Sequence, residues 1–302
     1  MEIVRPDTRI NFVGQTKTCA SISAAVVLAA LVLIGVRGFV LGIDFAGGTV
    51  LQITVPEAAG AVDEGRLRSI VSDSGYPKSV VVRFGAAEER EFLISVPVSM
   101  EERKNLAAEL IDALSKALAA PVVPQRIESV GPRVGAELRR NGILALLLSW
   151  ALILVYIWFR FELRYAPGAV VALIHDVVIT AGVLVALGLE FNLQVLAALL
   201  VVIGYSLNDT IVIYDRIREN IELRGRTHVE AVVNQSLNQT LSRTLLTSLT
   251  TLLVVVALLF LGGAVLRDFA FALMIGVVVG TYSTIYVASA MLIFLERRFG
   301  ET

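Results

Sequence analysis

The sequence predicts a polytopic α-helical membrane protein of six crossings, with one α+β domain set between the first and the second. Three observations carry that expectation. The 302 residues are 56% hydrophobic and only 18% charged, and the mean hydropathy of +0.76 is too high for an ordinary soluble domain. Charge-free runs long enough to span a bilayer recur along the chain. A single stretch of about 100 residues between two of them has the composition of a water-soluble fold, within the usual size of a domain.

Composition also removes several function classes. The net charge of -1, the pI near 6.2 and the scattered basic residues give no support for nucleic-acid binding. Cys19 is the only cysteine and lies in an apolar run, so neither a disulfide framework nor a thiolate metal site is expected. His175 and His228 are the only histidines, which excludes a histidine-rich metal centre. There is no G-x-x-x-x-G-K-[ST] loop for nucleotide phosphates, so any work must come from a gradient or a partner, with protons as the coupling ion and no cofactor.

Lys17 and Arg37 bracket Thr18 to Val36, about 19 residues and ~28 Å of helix, which is one full crossing. Its length and its Gly-Val-Arg-Gly end read as a retained anchor rather than a cleaved signal peptide. Residues 1–38 thus form the N-terminal segment and first crossing. In residues 39–138, Thr49 to Val55 and Ser79 to Phe84 are β-branched runs and Glu91 to Val96 alternates, so all three read as strands. A helix near Asp63 to Ser74 places Leu67, Ile70 and Val71 on one face. A second, from Met100 to about Ala119, carries Leu106, Leu110, Ile111 and Leu114 as its apolar stripe, with Ser99 and Glu102 in capping-box spacing. A last strand follows Pro121. The order βαββαβ is that of a ferredoxin-like split unit, with two helices covering one sheet face.

Residues 139–302 hold the other five crossings, Asn141 to Phe159, Pro167 to Leu189, Leu193 to Tyr214, Leu245 to Leu261 and Phe269 to Leu295. Basic residues mark alternate short loops: Arg5, Arg9 and Lys17 at the start, Arg160 and Arg164, then Arg216, Arg218, Arg224 and Arg226, and Arg297 and Arg298 at the end. The intervening loops carry none at Glu190 to Gln194 and only Arg267 near the fifth turn. Positive residues favour the cytoplasm in short loops, so both termini are expected there and the domain at 39–138 on the periplasmic side of the bacterial inner membrane.

Within these crossings a few polar residues stand out. Asp209, in Gly204-Tyr205-Ser206-Leu207-Asn208-Asp209-Thr210, is the only charge between Glu190 and Asp215. An ionisable group in a membrane helix costs roughly 2.5 to 3.5 kcal/mol on insertion scales, so it normally faces protein or a water path and has a partner. It lies ~7 to 8 Å from the inner end of its helix, and His175 and Asp176 lie ~12 to 13 Å in. Arg243 opens the fifth crossing, and Thr247 and Thr250 continue its face. These groups could form a polar path with Asp209 and Arg243 as its charged pair. Each also has a plainer reading: Arg243 as an arginine snorkelling to headgroups, Asp209 as half of a static ion pair, the threonines as backbone-bonding groups. His175 and Asp176 point about 100° apart, so one of them could be only a helix–helix hydrogen bond. Asn208 lies on a different face from Asp209 and reads as a hydrogen-bonding neighbour. Asp44 precedes Gly47 and Gly48 in GIDFAGGT, where the glycines permit a tight bend or close backbone approach; its plainer reading is a structural exit from the first helix.

The chain resembles the SecF subunits of the SecD/SecF family, part of the bacterial Sec protein-export machinery and of the resistance-nodulation-division superfamily. The resemblance runs over essentially the whole length: GIDFAGGT at 42–49, SVGPRVGAEL at 129–138, YIWFRFE at 156–162, LIHDVV at 173–178, GYSLNDTIVIYDRIREN at 204–220 and NQTLSRTLLTSLTTLL at 238–253. It implies a subunit that works with SecD beside the SecYEG channel and SecA, with YajC and YidC as further partners, to move unfolded polypeptide outward on the proton gradient. By position it makes Asp209 the membrane aspartate of proton conduction and Arg243 the arginine near it. Asp209 would alternate between ionised beside Arg243 and protonated when the two separate, burial and the arginine acting on it in opposite directions. Competing readings are a proton-driven exporter of small molecules or lipid, an intramembrane hydrolase built on Asp176 and Asp209, and a passive scaffold.

Overall fold

The computed structural model describes residues 9–84, 89–161, 164–225 and 228–299; Arg5, Glu162 and Arg226 lie outside the described residues. The chain begins with α1 (Phe12–Arg37), whose first turn is capped by the Asn11 side chain accepting from the Gly14 N–H. β1 (Val40–Leu41) and the single-turn α2 (Ile43–Ala46) lead into β2 (Gly48–Thr54), α3 (Glu64–Asp73), β3 (Val80–Phe84), β4 (Glu91–Val96), α4 (Leu106–Leu118) and β5 (Val123–Val130). The membrane helices resume with α5 (Pro132–Arg160) and α6 (Ala166–Leu187). After β6 (Glu190–Phe191) come α7 (Leu193–Arg224), α8 (Val229–Leu261) and a last crossing built from α9 (Gly263–Ser283), a π-helical stretch (Thr284–Ala288) and α10 (Ser289–Phe299).

From β2 to β5 the strands and α-helices follow the order strand, helix, strand, strand, helix, strand, and their sheet is antiparallel throughout in the order β3-β4-β2-β5. Alternation does the sorting: Leu51 and Ile53 of β2 and Phe92, Ile94 and Val96 of β4 turn to one face and are almost fully buried. Leu67 and Val71 of α3 and Leu106, Leu110 and Leu114 of α4 close over them. α4 starts later than the sequence pattern suggests. The capping box does form, with the Ser99 N–H donating to Glu102 Oε2 (3.1 Å) and the Glu102 N–H to Ser99 Oγ (3.4 Å), but it closes a turn. Residues 101–105 offer no apolar side chain to the core, and the Met100 N–H is held by Ser129 Oγ at 2.8 Å on β5.

Among the described residues, six helices are long and apolar enough to cross a membrane, as the sequence predicts. They are unequal. The most apolar windows of α6, α7 and the last crossing are 61%, 50% and 50% buried, against 11%, 11% and 17% for α1, α5 and α8. The first three are therefore the centre of the bundle and the others its shell. α7 and α8 each run well past their apolar segments on the side away from the sheet domain. There Asn220 Nδ2 donates to Ser236 Oγ (2.8 Å) and Gln239 Oε1 (2.9 Å), zipping the two antiparallel helices together. α5 likewise begins at Pro132, before the apolar run, because proline suits the first helical position and the turns carrying Arg133, Glu137, Arg139 and Arg140 need no apolar partner.

The domain is joined to the bundle through Gly47 and Gly48. Their φ values of 78° and 137° favour glycine, and a side chain on Gly47 would meet Pro132 Cα at 3.1 Å. The close approach lets α2 lie on the first turns of α5. Beside it, β1 pairs in parallel with β6, Val40 opposite Glu190 and Leu41 opposite Phe191, so the strand leaving the first crossing is stitched to the loop before α7.

Candidate functional site

Polar side chains gather where α6, α7, α8 and α9 meet. Asp176 of α6 is wholly buried, and a buried carboxylate needs donors. It has them: Ser206 Oγ of α7 donates to Asp176 Oδ2 at 2.6 Å, Ser283 Oγ of α9 to the same atom at 2.9 Å, and His175 Nδ1 lies 2.9 Å from Oδ1. Gly280 leaves room for Ser206 to reach in, since a side chain there would stand 3.1 Å from Ser206 Cβ. Asp176 thus ties three helices. His175 is buried too and does not point into the same place. Its ring stacks on Tyr282 at 6.3 Å and lines an apolar groove of about 880 Å³ between α1, α6 and α10. Both members of the His-Asp dipeptide therefore face protein, joined to each other.

Asp209 of α7 is 3% exposed and differently placed. Its Oδ2 has no hydrogen-bond partner among the described residues. No ion pair joins it to Arg243, which lies on the exposed side of α8, although Arg243 is the charge that acts on it through space. One turn along α7 toward the sheet domain, Tyr205 Oη donates to Ser248 Oγ (3.1 Å), which is 2.7 Å from Thr281 Oγ1 of α9. One turn the other way from Ser248, Thr244 Oγ1 is buried without a partner among the described residues. Thr210 Oγ1 donates to the Ser206 carbonyl (3.0 Å) and sits 3.3 Å from Thr284 Oγ1, where the last crossing widens into its π-helical stretch. Tyr214 Oη takes one of that stretch's carbonyls, Ala288 O, at 3.1 Å.

The structure separates the other residues picked out by sequence. Thr247 Oγ1 donates to the Arg243 carbonyl (2.9 Å) and Thr250 Oγ1 to the Leu246 carbonyl (2.9 Å), both within α8. Asn208, Arg243 and Thr250 are exposed on the bundle surface. The inward face of α8 is instead Ser236, Thr240, Thr244 and Ser248, all buried. Their four-residue spacing is visible in the sequence, but the stripe through Arg243 draws the eye first. Asp44 is far from these groups: its Oδ2 accepts the Leu193 N–H at 2.9 Å, in the first turn of α7, next to the cap that Asn192 provides for Val195. Glu190, paired across from Val40, has its carboxyl pushed above the ordinary carboxylate range by burial, then by the nearby Asp268 and Asp44.

Comparison with known proteins adds the family. Residues 111–298 match the family described as "Protein export membrane protein SecD/SecF, C-terminal", and residues 32–55, which include Asp44, Gly47 and Gly48, match the "SecD/SecF GG Motif". The chain is 44% identical to the protein translocase subunit SecF of Desulfurispirillum indicum, over 97% of this chain and 93% of that one. It is also 44% identical to the protein translocase subunit SecDF of Thermus thermophilus, over 97% of this chain but 39% of the relative. The crystal structure of the Thermus SecDF, a translocon-associated membrane protein, superposes with a TM-score of 0.85 at 42% identity, covering 98% of this chain and 40% of that one. The chain thus spans about two-fifths of those SecDF chains and nearly the full length of the SecF relatives. It belongs to the SecD/SecF family of protein-export membrane proteins.

Proposed function

We propose that this chain is an accessory subunit of the Sec protein-export machinery which, together with SecD, uses the proton gradient to promote movement of unfolded polypeptide across the bacterial inner membrane. The observation that carries the reading is Asp209, a buried carboxyl without a fixed partner in the centre of a bundle whose relatives are protein-translocase subunits. Asp176 is saturated with donors and serves as a clamp; Asp209 is free to exchange a proton. Arg243, on the exposed face of α8, is the charge that acts on it through space and would pair with the ionised form when α7 shifts against α8. One charge moved across the membrane yields about 2.3 kcal/mol per 100 mV, enough to bias a conformational equilibrium by tens of fold.

In this reading both termini are cytoplasmic and the domain between α1 and α5 is a periplasmic, ferredoxin-like unit, a reading that its strand order and two covering helices support. SecD is the partner, in keeping with relatives whose name joins the two subunits in one chain. The SecYEG channel, SecA, YajC and YidC are the wider machinery. Asp44 and Glu190 join the domain to α7, so a shift of α7 at Asp209 reaches the domain through them. In the intact complex, Asp209→Asn should abolish the part of export that depends on the gradient and leave assembly intact; undiminished gradient-dependent export would leave only a scaffold.

A further inference from the structure

α7 and α8 run antiparallel, and the Tyr205–Ser248 hydrogen bond sets their register. One turn further along each helix, on the same faces, come Asp209 and Thr244. Arg243, next to Thr244, is the charge that acts on Asp209, which fits that pairing. Both Asp209 Oδ2 and Thr244 Oγ1 are buried without a protein partner among the described residues. Two such orphans from facing helices at one level, each costly if left unsatisfied, are the setting in which a bound water is retained. One turn toward the sheet domain lies a hydroxyl chain, Tyr205 to Ser248 to Thr281.

We propose that Thr244 and a water held between it and Asp209 connect the Asp209 carboxyl to the Tyr205–Ser248–Thr281 chain, and that these hydroxyls are the relay by which protons reach or leave Asp209 from the domain side of the membrane. The proposal rests on Asp209 being the proton carrier and adds the groups that serve it. The chemistry suits the task. Each hydroxyl both donates and accepts, and the 2.7 Å contact between Ser248 and Thr281 can be donated from either side. At rest the Thr281 O–H donates to the Val277 carbonyl at 2.7 Å, and it turns from that acceptor when it passes its proton on. In a transfer each hydroxyl takes a proton on a lone pair as it releases its own. The proton delivered to Asp209 is thus matched by one taken up at Thr281, and every intermediate group ends with the charge it began with.

The test uses the full complex with its SecD partner in liposomes, reading proton flux with an internal pH dye under an imposed gradient. Tyr205→Phe keeps the ring and loses one hydroxyl, and Thr281→Val keeps the shape. Each should lower flux by about tenfold or more, the scale on which a positioned proton-transfer group acts. Ser248→Ala should do the same while Ser248→Thr, which keeps a hydroxyl, restores most of it. A merely structural role would not produce that rescue. Independently of flux, the infrared C=O band of protonated Asp209 should shift in Thr244→Val as its hydrogen-bonded neighbour is lost. Unchanged flux in Tyr205→Phe and Thr281→Val alongside loss in Asp209→Asn would overturn the relay and keep Asp209 as carrier. Wild-type flux in Asp209→Asn would remove the carrier and the relay together.

Discussion

Asp176 and Asp209 are buried carboxyls within the same bundle and have opposite surroundings. The first accepts from two serines on two other helices and touches a histidine; the second has an oxygen with no partner among the described residues. Removing an acceptor on which buried donors depend is expensive, so Asp176→Ala should destabilise the purified complex by about 3 kcal/mol or more, seen as a lower melting temperature. Asp209→Asn should leave melting unchanged while gradient coupling is lost. Melting and coupling thus report on different aspartates. Sequence alone made these buried ionisable groups legible, since Asp209, His175 and Asp176 interrupt apolar runs. It did not set the rotational phase of α8. Only 17% of its most apolar window is buried, so hydrophobicity barely distinguishes its faces, and the serine and threonine face that looks inward is no more polar than the one bearing Arg243 and Thr247.

At the scale of elements, α7 is a rod of 32 residues gripped at both ends. Asp44 and Asn192 hold its first turn, and Asn220 holds its last turns to α8. Asp44→Ala should free the Leu193 amide at a cost of about 1 kcal/mol, read as faster hydrogen exchange in residues 193–196 with the sheet domain unaffected. The loop before α7 carries a pH response of its own. Burial, Asp268 and Asp44 raise the Glu190 carboxyl above its unfolded value, so the folded state binds the proton more tightly. The stability this group lends is complete below its unfolded pKa and is lost as pH rises through the higher folded pKa. Melting of the wild type should therefore fall over that window more steeply than melting of Glu190→Gln, which should be the more stable of the two at neutral pH. The four strands of the domain sheet, α3 and the six apolar segments were legible from period and length, whereas the two-residue strands β1 and β6 are too short to leave a period. The helical extensions of α5, α7 and α8 were not, because their polar turns are held by partners such as Ser236 that lie far away in sequence.

The whole molecule has a surface that lipid alone does not suit. Asn208 of α7 and Arg243 and Thr250 of α8 are exposed on the bundle. A charge at membrane depth facing hydrocarbon costs roughly 2.5 to 3.5 kcal/mol even on insertion scales, so this face calls for a protein cover. Gly204 lies one turn from Asn208 on the same side of α7, and a side chain built there meets nothing within 4 Å. Within this subunit, then, Gly204 has no packing reason to be glycine. If SecD covers the face, helices approach closely where residues are small, and Gly204 marks the crossing. Gly204→Leu should leave the subunit folded and inserted, because its own helices have room for the side chain. It should nonetheless release SecD on co-purification, whereas Gly188→Leu, which also has open space but lies at the end of α6, should be limited to strain at its φ of 67° and keep the partner. A Gly204→Leu subunit that holds SecD as tightly as the wild type would place the partner on another face of the bundle.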